Sequence, residues 1–158
     1  MKGDDGMVEE VACPLTKGEK ILVAVDGSSN SDFAVEQALS MANTCNSILY
    51  AVTVIDVYPK QIEGTPGAKE QMDKEAHSLL QKVEAKANEK NIPVETVVHW
   101  GRHPHESIIK DSKEKGVDLI VLGSHGRTGL KKFFLGSVAQ KVIGYARCPV
   151  MVVPGEHE

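Results

Sequence analysis

Short apolar runs alternate with longer helix-patterned stretches along most of this chain, and this alternation constrains its fold more than any other feature. The five runs are ILVAVD (21–26), SILYAVTVIDV (47–57), PVETVVHW (93–100), DLIVLG (118–123) and PVMVVP (149–154). Strands that are apolar on both faces and alternate with helices indicate a parallel sheet covered on both sides. Right-handed crossovers make such a sheet doubly wound. The sequence therefore predicts an α/β fold with a five-stranded, doubly wound parallel sheet.

Residues 1–19 precede the first predicted strand and show no sustained periodicity. They include Gly3, Gly6, Pro14 and Gly18, so we expect an amino-terminal extension that is loosely ordered or docked on the surface. Residues 20–158 are numerous enough to bury a full core, and we expect them to form one domain.

The composition argues against several classes of function. Only 4% of the residues are aromatic, which leaves little material for stacking single-stranded bases and disfavours a nucleic acid partner. A net charge of −4 supplies no basic field for a polyanion, so an anionic ligand must be held by local groups. No apolar run approaches the roughly 20 residues of a membrane helix, so we expect no membrane partner.

The amino-terminal sequence and the cysteines favour a cytoplasmic protein. MKGDDGMVEE lacks the apolar centre of a signal peptide. Cys13, Cys45 and Cys148 are an odd number at unrelated spacings, which is more typical of reduced thiols than of a disulfide framework or a zinc site. We therefore expect reduced thiols, with Cys148 packed as a small buried apolar residue.

Ligands of a doubly wound sheet bind beyond the carboxyl ends of its strands, where the winding reverses. This rule selects the loops after the first, second and fourth strands, at 26–31, 54–57 and 123–137.

The third of these loops has the glycines of a phosphate site. Gly123 and Gly126 follow a buried strand, where a Cβ would obstruct a ligand that passes close to the main chain. Gly136 and Ser137 begin the last helix, whose free N–H groups and dipole suit a phosphate. The alternative is that these glycines only turn a tight corner.

Basic residues in the same loop offer cations, although long basic side chains in loops often only point into water. They are Arg127, Lys131 and Lys132. The loop is not a P-loop and not a dinucleotide fingerprint, because GxxxxGK[ST] and GxGxxG are both absent.

The spacing of Gly123, Gly126 and the Gly136-Ser137 pair resembles the ATP-binding signature G-2x-G-9x-G-[ST] of the universal stress protein family. Its surroundings are similar to that family as well, and the resemblance covers about residues 20–154. The matching segments are ILVAVDGS, Gly101 with Pro104, DLIVLGSHGRTG, LGSVAQKVI and CPVMVV. The resemblance implies a flavodoxin-like sheet, similar to the adenine nucleotide alpha-hydrolases, that binds ATP.

The resemblance also implies roles for particular residues. A divalent cation, Mg²⁺ or Mn²⁺, would be bound through the phosphates rather than by a protein metal site. The residues near the adenosine would be Ala24, Val25, Asp26, Val54, Leu122 and Gly123; those at the phosphates would be Gly126, Arg127, Gly136, Ser137 and Val138, with Ser124, His125 and Thr128 nearby.

Several side chains have a second interpretation. Asp26 could cap the turn into the first helix. His125 could be a general base, although a positioning or spectator role is favoured because the sequence does not identify its partner. Three histidines and a glutamate resemble metal ligands, but Pro104 breaks their helical spacing and a polar helix start is the better interpretation. These four residues are His99, His103, His105 and Glu106.

Three functions fit these observations. The favoured one is an ATP-binding regulatory protein of a stress response; the others are a slow, partner-dependent ATPase and a dimeric interaction module without nucleotide. The resemblance implies a homodimer through the fifth strand, whose VMVV (150–153) is apolar and β-branched. The alternative is that the amino-terminal extension covers that edge.

Overall fold

The computed structural model describes residues 11–57, 59–126 and 135–155, and its elements alternate as the sequence predicts. The strands are β1 (Lys20–Ala24), β2 (Ile48–Ile55), β3 (Val94–Trp100), β4 (Leu119–Gly123) and β5 (Val150–Val153). The helices are α1 (Ser29–Cys45), α2 (Pro59–Ile62), α3 (Ala68–Glu89), α4 (Pro104–Lys115) and α5 (Ser137–Tyr145). The single turn α2 lies in the segment between β2 and α3.

The five strands form one parallel sheet in the order β3-β2-β1-β4-β5. The predicted fold class is therefore confirmed. After β1 the chain moves outward to β2 and β3, and then returns to the other side of β1 to form β4 and β5. The winding thus reverses between β1 and β4, so the loops that follow these two strands leave the sheet side by side.

The sheet separates two apolar clusters, and β1 contributes to both. Ile21 and Val23 are fully buried in the cluster that α1 and α3 cover. Leu22 is fully buried in the cluster that α4 and α5 cover. Each such side chain stabilises the fold by roughly 1.5–3 kcal/mol relative to full exposure. This two-sided burial explains why β1 contains no polar residue between Ile21 and Ala24.

The helix ends follow from particular residues. Ser28 caps α1, since its Oγ accepts a hydrogen bond of 3.2 Å from the N–H of Ser31. Pro104 occupies the first turn of α4, where its missing N–H has no cost. Gly116 ends α4 with φ +64, a left-handed conformation that favours glycine.

A disulfide joins Cys13 to Cys45, the last residue of α1, so the prediction of reduced thiols is wrong for these two residues. Sequence spacing did not reveal the pair, because it depends on how residues 11–19 fold back on the domain. Gly18 lies against the bond: a Cβ there would be 2.6 Å from Cys13 Sγ. The hydroxyl of Ser47 donates a hydrogen bond to the carbonyl of Gly18. With this pair oxidised, the cysteines no longer support a cytoplasmic location.

Cys148 is a free thiol and is half-buried beside the cluster under α4 and α5. Burial, followed by the nearby charge of Asp118, raises the pKa of this thiol above its usual value. Cys148 therefore packs against apolar residues as we predicted, although it is half-buried rather than buried. Among the helices of the described ranges, none is long and apolar enough to cross a membrane.

We predict that the Cys13–Cys45 disulfide stabilises the domain. It closes a loop with a sequence separation of 32, and restricting the unfolded chain to such a loop contributes at most about 3 to 4 kcal/mol. Urea unfolding with a dithiol reductant should give a free energy of unfolding that is lower by up to this amount.

The matched control is the double variant Cys13→Ser/Cys45→Ser, whose unfolding should not respond to the reductant. If the wild-type protein unfolds at the same urea concentration with and without reductant, the disulfide makes no contribution to stability.

Candidate functional site

A cleft of about 760 Å³ opens at the carboxyl ends of β1, β2 and β4. This is the position that the reversal of winding predicts. Each predicted site residue that the structure describes lines this cleft, whereas Arg127 and Thr128 lie outside the described residues. The predicted residues that it brings together are Ala24, Val25, Asp26, Val54, Leu122, Gly123, Ser124, His125, Gly126, Gly136, Ser137 and Val138.

One wall of the cleft comes from the first turns of α3, which we did not predict. Met72, Ala76 and Leu79 face the cleft from this helix, and Glu75 lies beside them. The sequence signal was present, because these apolar residues belong to the stripe that marks α3 as amphipathic. A stripe alone does not distinguish a residue that packs in the core from one that lines a cleft.

Asp26 fixes the loop after β1 and also reaches the cleft. Its Oδ1 accepts hydrogen bonds from the N–H and the hydroxyl of Ser28, at 2.9 and 2.6 Å. The same Ser28 hydroxyl oxygen caps α1. Oδ2 faces Gly126, where a Cβ would lie 2.9 Å from it. The turn-capping interpretation of Asp26 is thus correct, and the carboxylate still presents an oxygen to the cleft.

Gly123 and Gly136 are positions at which main chain packs on main chain. A Cβ on Gly123 would lie 2.9 Å from the carbonyl carbon of Asn30 in α1. The N–H of Gly136 donates to the carbonyl of Ser124 at 2.7 Å, and a Cβ there would lie 2.9 Å from that oxygen. The tight-corner alternative therefore accounts for both glycines. Gly126 differs, because among the described residues its Cβ would meet the Asp26 carboxylate and no main-chain atom.

The amino end of α5 borders the same cleft. Gly136 precedes the helix and provides no side-chain cap, so the first N–H groups are left for water or a ligand. Ser137 is exposed at the first position of α5 and lines the cleft together with Val138. The partial positive charge of a helix amino end favours an anion at this position.

The described lining of the cleft is acidic. Asp26, Asp56 and Glu75 contribute carboxylates, and none of the lining residues in the described ranges is Lys or Arg. The predicted cations Arg127, Lys131 and Lys132 belong to 127–134, outside those ranges. The ring of His125 contacts Ser124, with 3.0 Å between Nδ1 and the hydroxyl oxygen.

No group of three His, Cys, Asp or Glu side chains is placed to hold a metal ion within the part of the chain that the structure describes. His99 instead pairs with the buried Asp111, with 2.6 Å between Nε2 and Oδ2. His103 precedes α4 as its cap residue, and the ring of His105 stacks on Tyr145. Burial, and then Lys141, lower the pKa of His105.

The chain is similar in sequence to universal stress proteins. The family model described as Universal stress protein family matches residues 18–154. Universal stress protein MJ0531 of Methanocaldococcus jannaschii is 36% identical over 141 residues, which are 85% of this chain and 81% of that protein. Universal stress protein YxiE of Bacillus subtilis is 37% identical over 145 residues, which are 85% of this chain and 97% of that protein.

Solved structures show the same fold. The structure of protein MJ0577 superposes with a TM-score of 0.79 at 28% identity and covers 90% of this chain and 99% of its own. An Archaeoglobus fulgidus universal stress protein in complex with dAMP has a TM-score of 0.67 at 22% identity, over 87% and 98% of the two chains. An Arabidopsis thaliana family protein with AMP bound has a TM-score of 0.63 at 21% identity, over 87% and 92%.

We predict that Gly123→Ala destabilises the fold more than Gly126→Ala does. Alanine at 123 must push α1 away from β4, because its Cβ would meet main-chain atoms of Asn30, and overpacking of this kind costs about 1–3 kcal/mol. Within the described ranges, alanine at 126 meets the end of the flexible Asp26 side chain and no main chain, and we expect a loss below about 1 kcal/mol. Chemical denaturation of both variants measures the difference.

Proposed function

Because the chain belongs to the universal stress protein family, we propose that it binds ATP in the cleft and acts as a nucleotide-dependent regulatory protein of a stress response. One observation carries this proposal: a single cleft contains both an apolar wall with a carboxylate and the uncapped amino end of a helix. An adenine nucleotide needs both, since it joins a flat apolar base to an anionic tail.

The adenosine would occupy the part of the cleft between β2 and α3. Val54, Met72 and Leu79 provide apolar surface for the base. The Asp26 carboxylate would accept hydrogen bonds from ribose hydroxyls, because its Oδ2 faces the cleft while Oδ1 is engaged by Ser28. The dAMP and AMP named for the two related structures contain the same base.

The phosphates would lie between Gly126 and the amino end of α5. Gly126 leaves space beside Asp26 that a Cβ would fill, and the N–H groups at Ser137 and Val138 would donate to phosphate oxygens. Because the described lining contains carboxylates and neither Lys nor Arg, we propose that Arg127 supplies a cation there. Mg²⁺ or Mn²⁺ would accompany the phosphates and reduce their repulsion with the acidic lining.

We propose that the site holds ATP rather than cleaving it efficiently. Among the described residues, His125 is the group in the cleft that best suits a general base, and its Nδ1 already contacts the neighbouring Ser124 hydroxyl. That contact suits a role in positioning the loop. Efficient phosphoryl transfer needs a positioned nucleophile and cations on the transferred group.

We predict that ATP is released when protein purified without added nucleotide is denatured, and that mass spectrometry identifies it. Calorimetry on emptied protein should show ATP binding, which Gly126→Val should abolish without unfolding the domain, since a β-branched side chain would fill the space beside Asp26. Gly144→Ala is the matched control: a Cβ at this α5 glycine has open space, and binding should be unchanged.

Protein that is empty as purified and shows no ATP binding in calorimetry contradicts the proposal and leaves the interaction-module alternative. Single-turnover assays with Mg²⁺ or Mn²⁺ would distinguish a holding site from a slow ATPase. Unchanged affinity in Gly126→Val would mean that the phosphates do not lie at this loop.

We also propose a homodimer in which β5 pairs with its copy. Beyond β5, no further strand among the described residues continues the sheet, and Val150, Met151 and Val152 are only partly buried. The described part of the extension, 11–19, is tied to the end of α1 by Cys13. The carbonyls of Pro149 and Val153 accept hydrogen bonds from Ile120 of β4 and from Ser124 directly after it. Because backbone N–H and C=O groups point to alternate sides along a strand, those of Val150 and Val152 point to the open edge.

We predict that Val152→Pro dissociates this dimer, because it removes an N–H from the open edge while keeping the bonds to β4. Light scattering should change from two copies of the 17.1 kDa chain to one. Thr96→Pro is the matched control on the opposite edge strand β3, where the Pro93 carbonyl accepts from β2 and Thr96 points outward. A wild-type monomer, or a dimer that Val152→Pro leaves intact, would contradict β5 pairing.

A further inference from the structure

Asn30 lies outside the cleft, yet its side chain contacts the loop that follows β4. It is the second residue of α1 and does not line the cleft. Its Nδ2 donates a hydrogen bond of 3.2 Å to the main-chain carbonyl of His125. This carbonyl lies in the middle of Ser124–Gly126, which does line the cleft. Asn30 therefore contacts a loop that lines the cleft, although it does not line the cleft itself.

Glycines on two sides make room for Asn30. Gly123 packs against its main chain, where a Cβ would lie 2.9 Å from both the carbonyl carbon and Cβ of Asn30. Gly155, in the chain that leaves β5, packs against its side chain: a Cβ there would collide with Oδ1 and lie 3.1 Å from Cγ. The side chain of Asn30 thus lies between the loop after β4 and the chain after β5.

The start of α1 does not account for this arrangement. Ser28 caps that helix through its hydroxyl oxygen, so the Asn30 amide is not its capping group. Among the described residues, the main chain of this loop is also bonded at Ser124, which donates to the carbonyl of Val153 at 2.9 Å and accepts from the N–H of Gly136. The Asn30 amide adds a bond at the carbonyl of His125.

We infer that Asn30 is a positioning residue for the phosphate half of the cleft, and that the chain leaving β5 keeps Asn30 in place through Gly155. The inference rests on the proposed nucleotide binding. The hydrogen bond to His125 orients the main chain of 124–126 toward the phosphates. The adenosine half, formed by Val54 and α3, does not depend on it.

The first test compares ATP with adenosine in the Asn30→Ala variant. Loss of one ordinary hydrogen bond that orders the loop should weaken ATP binding about fivefold. Adenosine, which lacks phosphates, should bind with unchanged affinity. Ser29→Ala is the matched control, because Ser29 is the exposed neighbour on the same turn, and it should bind both ligands as the wild type does.

The second test displaces Asn30 without mutating it. Gly155→Ala places a Cβ where Asn30 Oδ1 lies, at a position that does not line the cleft, and should weaken ATP binding to a similar extent. In the Asn30→Ala background the colliding atoms are gone, so Gly155→Ala should have no further effect. This non-additivity in a double-mutant cycle is the expected signature of the contact.

A nucleotide-free measurement separates this inference from the proposed function. Hydrogen exchange at the amides of 123–126 should be faster in Asn30→Ala and in Gly155→Ala than in the wild type, and unchanged in Ser29→Ala.

If wild-type protein binds ATP and Asn30→Ala binds it equally well, the inference is wrong while the proposed function stands. Equal losses for ATP and adenosine would also overturn it, because they indicate a general effect on the fold. If the wild type binds no ATP, the proposed function fails, and unchanged loop exchange in the variants would reject the positioning role as well.

Discussion

The burial of β1 on both faces is the constraint on which the rest of the structure depends. Ile21 and Val23 face one apolar cluster while Leu22 faces the other, so helices must cover both sides of the sheet. With right-handed crossovers, a chain that places α1 and α3 on one face and α4 and α5 on the other must reverse direction beside β1. The reversal brings the loops after β1 and β4 together, and the cleft is the space between them.

Much of the fold could be predicted because its elements are encoded by local patterns. The strand runs, the amphipathic stripe of α3 and the Ser28 cap are each formed by residues that are close together in the sequence. Features that depend on distant parts of the chain were missed. The Cys13–Cys45 bond requires residues 11–19 to return to the end of α1, and the hydrogen bond between His99 and Asp111 requires β3 to pack beside α4. Neither spacing carries a signal of its own.

The site shows the same division. Residues that follow β1 and β4 could be placed in the cleft from the topology alone, because parallel strands end at a common edge. Met72 and Leu79 could not be placed in the cleft from the sequence. A stripe of apolar residues looks the same whether it packs in the core or lines a cleft. The acidic character of the described lining was also missed, because Asp56 and Glu75 come from different elements and carry no shared motif.

The glycines of the signature have unequal value as evidence for a ligand. Gly123 and Gly136 are required where the loop after β4 packs against α1 and against itself, because a Cβ would meet main-chain atoms there. A chain that lost its ligand would still be destabilised by replacing either glycine, so their presence supports the architecture more than the binding. Gly126 is different, since among the described residues the Asp26 carboxylate, and no main-chain atom, lies near its absent Cβ. Packing within the described part of the chain therefore does not account for a glycine at 126 as it does at 123 and 136, and a proposed phosphate contact is best tested at this position.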